Sequence, residues 1–348
     1  MRTTTSSTID PTWASLPAGD GAVALAHALQ GRIFCELGGE IVHRYDAALA
    51  AAPAPDSFNN IGGNSLWPGP EGGPYAFNYP PGNGLWYVQP AINSQPTIAE
   101  ESSSERLAGS KVVSLQNRRG VTQLFNYHRS VNVLPSQDMS SPYGISSVAY
   151  RCVDELRPLN PPLTDDMLFC AWSLEQFPGG EGVIAFGMTD DDAAAAINCD
   201  YYGHPGDRLR CKGQLFRLAL GGKDRFQIGI AHHSQPKLIG AYDPHRDLLI
   251  IRRISKITDN GLYFNIADND QPRGPFSAAD SYSIFNGGEL DFFELETIAP
   301  LHCDVAERGT HSTLCAETLI FKGAPDRLGR CLDECFGIPA TIIGGLQA

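Results

Sequence analysis

The chain has 348 residues, of which 42% are hydrophobic and 19% are charged, and its formal net charge is −13. A chain of this length and apolar content can bury a large core, as one large domain or two smaller ones. The acidic balance, which is spread along the chain, argues against nucleic acid or an anionic membrane surface as a partner. A small neutral polar ligand is easier to reconcile with it.

Several features of the composition favour an all-β protein of the cytoplasm. Glycine (36) and proline (25) are abundant, helix-periodic runs are scarce, and many short strand-like runs are separated by turn residues. No apolar run is long enough for a membrane span or placed as a hydrophobic leader would be. The nine scattered cysteines indicate reduced, buried thiols rather than a disulfide framework.

The chain divides into three parts. Residues 1–20 are polar and predict a flexible N-terminal arm, residues 21–323 a single β domain, and residues 324–348 a C-terminal helix and tail. The helix begins at Pro325 and ends at Gly337, with apolar residues at helical spacing between them. In chain order, the predicted strands are Ala22–Leu25, Gly31–Leu37, Ile41–Tyr45, Lys111–Leu115, Val121–Leu134, Ser146–Val153, Leu168–Phe177, Gly182–Gly187, Gln214–Leu220, Arg225–Ile230, Leu248–Ile254, Gly261–Ile266, Tyr282–Phe285, Phe292–Pro300 and Ser312–Phe321.

Two connecting segments carry local signals. Glu100–Glu105 is polar and predicts a loop. Gly221–Asp224 contains two glycines between two strand-like runs and predicts a tight β-hairpin.

A long segment between residues 51 and 96 is rich in glycine, proline and aromatic residues, which is typical of a functional loop. Within it, Trp67 offers a flat face that can stack on a sugar ring, and Asn64 and Glu71 can hydrogen-bond hydroxyl groups. The alternative is a structural loop packed by its own aromatic side chains.

Two strands offer further candidates for contacts with a ligand. His128 lies on a polar face of the predicted strand Val121–Leu134, with Arg129 beside it. A polar face of this kind either lines a ligand-binding cleft or is exposed to solvent. Trp172, in a nearly all-apolar strand, lines a pocket or packs in the core.

The strand Phe292–Pro300 carries two carboxylates, Glu294 and Glu296, at positions i and i+2. Side chains at this spacing point to the same face of a strand. If that face is apolar and enclosed, burial raises the pKa of both groups and makes them suitable for acid–base chemistry near neutral pH. If the opposite face is the core, both glutamates are solvated. His204 and His233, both close to turns, are the other acid–base candidates.

Four segments, in the same order along the chain, resemble segments of the aldose 1-epimerases (galactose mutarotases). They are more similar still to those of uncharacterised bacterial families with that fold. The likeness spans roughly residues 30 to 322. The segments are the Gly-Gly-x-x-Leu-Trp-x-x-Pro-Glu loop at Gly62–Glu71, the tryptophan strand at Ala171–Leu174, the late hairpin from Phe226 to Arg253, and the Glu-x-Glu-Thr-x-x-Pro strand at Glu294–Pro300.

The resemblance implies an antiparallel β-supersandwich, with two large curved sheets and a sugar-binding cleft on a concave face. It also implies general acid/base catalysis that needs neither a metal nor an organic cofactor. In the family, a glutamate takes the proton of the anomeric hydroxyl while a histidine protonates the ring oxygen. By motif match Glu296 takes the place of the base, with Glu294 as its neighbour. Cys170–Ser173 replaces the family's segment of the Asn-x-x-Asn-His type, so the acid is left to His204 or His233, and Gln227 replaces a family lysine.

Three functions follow as hypotheses. The favoured one is an aldose 1-epimerase-like isomerase with Glu296 as the base and Asn64, Trp67 and Glu71 against the sugar. The second is a non-catalytic sugar-binding or sensing module that kept the cleft and lost the acid. The third is a lyase on the same scaffold, for which Arg129 beside His128 is the indication in the sequence.

Overall fold

The protein consists of two large antiparallel β-sheets, which confirms the all-β class. The structure, a computed structural model, describes residues 8–54, 58–79, 81–82, 84–159, 167–200, 202–255, 261–263, 279–304 and 309–344. The first sheet has ten strands and the second has eleven.

The first sheet has the strand order β1-β2-β3-β5-β10-β19-β18-β15-β12, with the short β4 paired to β3. Its strands are β1 (Ala14–Ala18), β2 (Gly21–Ala26), β3 (Arg32–Leu37), β4 (Glu40–Ile41), β5 (Gly63–Gly69), β10 (Cys170–Pro178), β12 (Ile197–Asn198), β15 (Phe226–Ala231), β18 (Asp280–Asn286) and β19 (Phe292–Ile298).

The second sheet has the order β13-β14-β11-β16-β17-β21-β9-β8-β7-β6, with β20 paired to β21. Its strands are β6 (Ile98–Ser102), β7 (Arg106–Gln116), β8 (Thr122–Val133), β9 (Ser146–Pro158), β11 (Ile184–Met188), β13 (Leu209–Lys212), β14 (Leu215–Ala219), β16 (Leu238–Asp243), β17 (Leu248–Ile254), β20 (His302–Asp304) and β21 (Gly309–Lys322).

The main core lies between the inner faces of the two sheets. Because side chains alternate along a strand, every second residue of a central strand enters this core. Ile228 and Leu295 from the first sheet and Val148 and Ile250 from the second are fully buried there. Strand-like runs in which every second residue is apolar favour this arrangement, because they supply one apolar face for the core of a sandwich.

The predicted C-terminal helix is confirmed as α5 (Pro325–Phe336), with Pro325 in its first turn and Gly337 as a left-handed C-cap. Its apolar side, including Leu328 and Leu332, packs against the outer face of the second sheet, where it covers residues such as Ile251. The other helices are short: α1 (Ala47–Ala51), α2 (Pro90–Asn93), α3 (Gln137–Ser140), α4 (Ala193–Ala196) and α6 (Thr341–Gly344).

Three sequence-based expectations need correction. The arm predicted for residues 1–20 contains strand β1, Ala14–Ala18, which pairs with β2 along its whole length. The segment Glu100–Glu105, predicted to be a polar loop, begins inside strand β6, Ile98–Ser102. This strand pairs with β7 at the edge of the sheet, and because it is exposed it lacks the alternating apolar residues by which a strand is recognised in a sequence. Gly221–Asp224 does not close a hairpin, because β14 belongs to the second sheet and β15 to the first. The predicted strand Gly261–Ile266 extends beyond the described residues.

None of the nine cysteines forms a disulfide, and all nine lie in the described part of the chain. Four of them, Cys35, Cys152, Cys170 and Cys331, are buried. Burial raises the pKa of the Cys152 thiol to about 12. These four thiols pack as small apolar side chains, as predicted, whereas Cys303 and Cys335 are exposed.

A fully buried network of polar side chains joins the two sheets, with Glu175 of β10 at its centre. Its carboxylate accepts hydrogen bonds from Arg252 of β17, from Tyr150 of β9 at 2.6 Å and from Thr318 of β21 at 2.7 Å. His43, whose Nδ1 accepts a backbone N–H, donates from Nε2 to the same carboxylate at 2.8 Å. Burial opposes ionisation of Glu175, but Arg252 and His43 outweigh it and lower the pKa of Glu175 to about 2.

Arg129 of β8 extends the network. It forms a bidentate ion pair with Asp154, at 2.8 and 2.9 Å, and donates to Asn64 Oδ1 at 2.6 Å. Asn64 also accepts from Ser173 and donates to the hydroxyl of Tyr150. Every charge in the network is thus paired and hydrogen-bonded, the condition under which buried ions are tolerated.

We expect Glu175→Gln to lower the free energy of unfolding by about 3–5 kcal/mol, because it leaves Arg252 charged, buried and without a carboxylate. Glu101→Gln is the matched control, since Glu101 pairs with Arg106 at the surface and its loss should cost less than about 1 kcal/mol. Urea denaturation of the three proteins measures both values. Equal effects of the two substitutions would contradict the central role of Glu175.

Candidate functional site

A cavity of about 270 Å³ opens on the outer face of the first sheet. Sites for small molecules start near about 300 Å³, so this volume suits one compact ligand. The residues that line it are Arg32, Phe58, Ser65, Trp67, Glu71, Trp86, Trp172, Leu174, Gln176, Tyr202, Arg225, Gln227, Phe285, Leu290, Phe292, Glu294 and Glu296.

Strand register explains why these residues meet. In β10, Trp172, Leu174 and Gln176 alternate with the inward-facing Glu175 and therefore point outward. Leu174 lies opposite Glu296 of β19, and Gln176 lies opposite Glu294. The same rows continue on the neighbouring strands with Ser65, Trp67, Phe285 and Gln227.

Glu294 and Glu296 form a buried carboxyl pair on the cavity wall; only 6% and 1% of their surfaces are exposed. The two carboxyl groups lie close enough for the charge of Glu294 to oppose the ionisation of Glu296. Glu296 also accepts from the indole N–H of Trp172 at 3.0 Å and from the amide of Gln227 at 3.2 Å. Gln176 donates to Glu294 at 2.6 Å.

The environment of the pair favours protonation. Burial raises the pKa of Glu294 to about 7, although Gln176, Arg32 and Arg44 favour its ionised form. Burial and the neighbouring charge of Glu294 raise the pKa of Glu296 well above its usual range. Near neutral pH the pair therefore holds a proton that it can donate and a carboxylate that can accept one.

Aromatic rings form the walls of the cavity. Trp67 and Trp86 are stacked with their ring centres 6.4 Å apart, and Phe58 meets both of them edge-on. Trp172 meets Trp67 edge-on at 5.9 Å. The indole N–H of Trp86 donates to Glu71 at 2.7 Å, which places a third carboxylate at the edge of this aromatic wall. Flat faces beside hydrogen-bonding groups suit a ligand with both apolar and hydroxylated surfaces.

Five of the residues predicted to form a site lie in this cavity: Trp67, Glu71, Trp172, Glu294 and Glu296. The two glutamates thus lie on a buried, cavity-facing side of their strand, while the other side enters the core. Neither glutamate is on an open, solvated face. Their chemical roles stay predictions.

The structure places Asn64, Arg129 and His128 elsewhere. Asn64 and Arg129 are completely buried in the network between the sheets. Side chains alternate along a strand, and the positions of these two residues in β5 and β8 turn their side chains towards the core. His128 lies on the outer face of the second sheet and faces Glu100, 3.3 Å away. The Arg129–His128 pair that suggested a lyase therefore does not face the cavity.

His204 and His233 do not line the cavity either. Both are exposed, His204 in the loop before β13 and His233 in the turn after β15. The described lining contains no histidine and no lysine. A histidine that could take the place of the acid of the aldose 1-epimerases is therefore absent from the described cavity wall.

Sequence reasoning missed several lining residues, and the available signals differ among them. Gln176 follows Trp172 by four residues in a predicted strand, so alternation alone assigns it to the same face. Gln227 replaces the family lysine, and Trp86 lies in the aromatic segment already noted. Arg32 and Phe285 gave no signal, since their positions depend on the pairing of strands distant in sequence.

Neither a cluster suited to a metal ion nor a membrane-spanning helix is present among the described residues. No group of three or more histidine, cysteine, aspartate or glutamate side chains is placed to hold a metal ion there. No helix in the described part of the chain is long and apolar enough to cross a membrane.

Comparison with known proteins agrees with the fold. Residues 13–345 match the model of a family described as a family of unknown function, DUF6786. No curated protein matches the sequence. A protein from Escherichia coli K12 proposed to be an aldose 1-epimerase superimposes with a TM-score of 0.51 at 12% identity, over 90% of this chain and 99% of that one.

Two further solved structures are similar at lower scores. A galactose mutarotase-like protein from Lactobacillus casei has a TM-score of 0.45 at 12% identity, over 88% of this chain and 99% of its own. A galactose mutarotase related enzyme from Lactobacillus acidophilus has a TM-score of 0.47 at 8% identity, over 90% and 98%. The Escherichia coli structure establishes that the chain has the mutarotase-like fold predicted from its sequence.

The carboxyl pair predicts a stability that depends on pH. The pKa of Glu294 is about 7 in the fold, against an ordinary value of 4.5, so protonation favours the folded state. The contribution of Glu294 to the free energy of unfolding should be greatest below pH 4.5 and should be lost as pH rises to 7, a decrease of about 3 kcal/mol. Because the pKa of Glu296 is also raised, its ionisation lowers the free energy of unfolding in the same direction.

Glu294→Gln should flatten this decline, because the amide does not ionise. Urea unfolding between pH 5 and pH 8 measures it, with the exposed Glu289, which lies outside the cavity lining, changed to Gln as the control. Parallel curves for wild type and Glu294→Gln would contradict a buried, titrating Glu294.

Proposed function

The chain belongs to the family of unknown function DUF6786, and we propose that it is a carbohydrate-active protein that interconverts the anomers of an aldose. The carboxyl pair of Glu294 and Glu296 in an aromatic-walled cavity carries this proposal. The mutarotase-like fold agrees with it. A small sugar presents apolar C–H faces to indole rings and hydroxyl groups to carboxylates and amides.

In this mechanism the two carboxyl groups divide the roles of acid and base. Before the sugar binds, Glu296, whose pKa is raised well above its usual range, holds a proton, and Glu294, whose pKa is about 7, is the group that ionises near neutral pH. Glu294 takes the proton of the anomeric hydroxyl, the bond from C1 to the ring oxygen breaks, and Glu296 protonates that oxygen. Rotation about C1–C2 and the reverse transfers give the other anomer. Glu296, expected from the sequence to be the base, acts as the acid during ring opening and as the base during closure.

Other side chains hold the pair in position. Trp172 and Gln227 both donate to Glu296, so its carboxyl group has a fixed orientation. Gln176 fixes Glu294 from the opposite strand. Because the donors lie on two strands, β10 and β15, the rigid sheet rather than a loop sets the geometry of the pair.

Anomer exchange tests this function directly. A freshly dissolved pure anomer of each aldose in a panel is followed by NMR or polarimetry with wild type, Glu294→Gln and Glu296→Gln. We expect wild type to accelerate exchange for at least one aldose and each variant to lose about 100-fold or more of the rate, as is typical for loss of a general acid or base. Glu289→Gln should retain the wild-type rate. Exchange that survives both cavity substitutions would refute the mechanism.

A second candidate is a sugar-binding protein without catalysis, favoured by the lack of a histidine in the described lining. Three of the four tryptophans line the cavity, so intrinsic fluorescence reports its occupation. For this candidate, sugars should change the fluorescence of wild type and of Glu296→Gln alike, while wild type leaves the exchange rate at its uncatalysed value. An accelerated rate would exclude it.

A further inference from the structure

Two guanidinium groups line the cavity, and neither belongs to an ion pair among the described residues. Arg32 is 3% exposed and donates to the carbonyl of Gly62 at 2.7 Å and to Gln30 at 3.1 Å. Its Nε has no hydrogen-bond partner. Arg225 is exposed at the cavity and has neither a hydrogen bond nor an ion pair within the described part of the chain.

This arrangement differs from that of the other two completely buried arginines. Arg129 has Asp154 and Arg252 has Glu175 in direct contact, so each buried charge is neutralised. A buried guanidinium without a carboxylate is costly, and burial lowers the pKa of Arg32 to about 10, which still leaves it charged at neutral pH. Arg32 thus has no carboxylate in direct contact, and Glu294 favours its charged form only from beyond ion-pair distance.

The carboxylates of the cavity are engaged by neutral donors. Glu71 accepts from Trp86, Glu294 from Gln176, and Glu296 from Trp172. None of the three is within ion-pair distance of Arg32 or Arg225, and the pKa of both Glu294 and Glu296 is raised. No carboxylate of the described lining thus pairs directly with either arginine, and an anionic group of the ligand can do so.

Arg225 lies close along the chain to a residue that holds the carboxyl pair. Arg225 precedes β15 and lies two residues from Gln227, so their Cα atoms are at most about 7 Å apart. Gln227 donates to Glu296. Both residues also line the cavity, so an anion bound by Arg225 shares this cavity with the carboxyl pair. The planar guanidinium can bind a carboxylate or phosphate with two parallel hydrogen bonds.

We propose that the aldose bound in this cavity carries an acidic substituent, a carboxylate or a phosphate, and that Arg225 determines this specificity. The inference rests on the proposed function and specifies its substrate class. Arg32, in the cavity wall, adds long-range attraction and stays bonded to Gly62 and Gln30. The acidic surface of the protein repels such ligands, so their binding depends on these two arginines.

Binding constants test the proposal. Tryptophan fluorescence or calorimetry is used with D-glucose, D-glucuronate and D-glucose 6-phosphate, and with D-galactose, D-galacturonate and D-galactose 6-phosphate. At least one acidic sugar should bind wild type tenfold or more tightly than its neutral counterpart, and added salt should narrow the difference. Comparison of the uronates with the phosphates identifies the acidic group.

Arg225→Gln should abolish that preference and leave the affinity for the neutral sugar within about twofold. Lys223→Gln is the matched control: it removes one positive charge from the same exposed loop at a residue outside the cavity lining, and it should keep the preference. Equal loss of acidic and neutral sugars in Arg225→Gln, or equal loss of preference in both variants, would overturn the specific role of Arg225.

The outcomes separate this inference from the proposed function. Anomer exchange accelerated only for neutral sugars, with no preference for acidic ones, overturns the inference and leaves the function standing. Binding of acidic sugars that depends on Arg225, without accelerated exchange, overturns the catalytic function and supports the inference. Absence of binding by every sugar in the panel overturns both.

Discussion

The buried ion pair between Glu175 and Arg252 is the constraint on which the rest of the structure depends. It connects β10 in the centre of the first sheet to β17 in the second, and its charges are satisfied only when both strands keep their register. Because side chains alternate, an inward Glu175 forces Trp172, Leu174 and Gln176 outward. A one-residue slip of β10 would bury the cavity face and expose the ion pair. The network that joins the sheets thus also determines which residues form the cavity.

The cavity and the network treat buried charge in opposite ways. In the network, Arg252 and His43 lower the pKa of Glu175 to about 2. In the cavity, Glu294 and Glu296 have neutral donors and each other, and the pKa of both is raised. One β-sandwich therefore stabilises an ionised carboxylate on the inner side of a strand and a protonated one on the outer side of its neighbour. Opposite pKa shifts of this kind commonly distinguish carboxyl groups in structural ion pairs from those in functional sites.

The all-β class and the C-terminal helix were predicted from local signals, strand alternation and the caps at Pro325 and Gly337, whereas the mutarotase-like fold was predicted from the resemblance of four segments. Alternation placed Glu294 and Glu296 on one face of their strand but left open whether that face is enclosed. The sequence could not separate Asn64 from Ser65, since one is in the core and the other in the cavity, and only recognition of strand β5 and its register divides them. The prediction that Arg129 contacts a ligand was wrong for the same reason. His204 and His233 were wrongly predicted to lie in the site, because the sequence of a loop does not indicate which cavity the loop approaches. Arg32 and Arg225 became visible only when distant strands were brought together.

The placement of helix α5 has a practical consequence. It covers the outer face of the second sheet, whereas the cavity opens on the outer face of the first, so the two lie on opposite sides of the sandwich. Residues 341–344, which follow as α6, remain on the side of the helix, because Ile342 packs in the same apolar cluster. A protein immobilised through this end of the described chain would present its cavity to the flowing solution. Surface-based kinetics would then measure ligand entry without obstruction by the support.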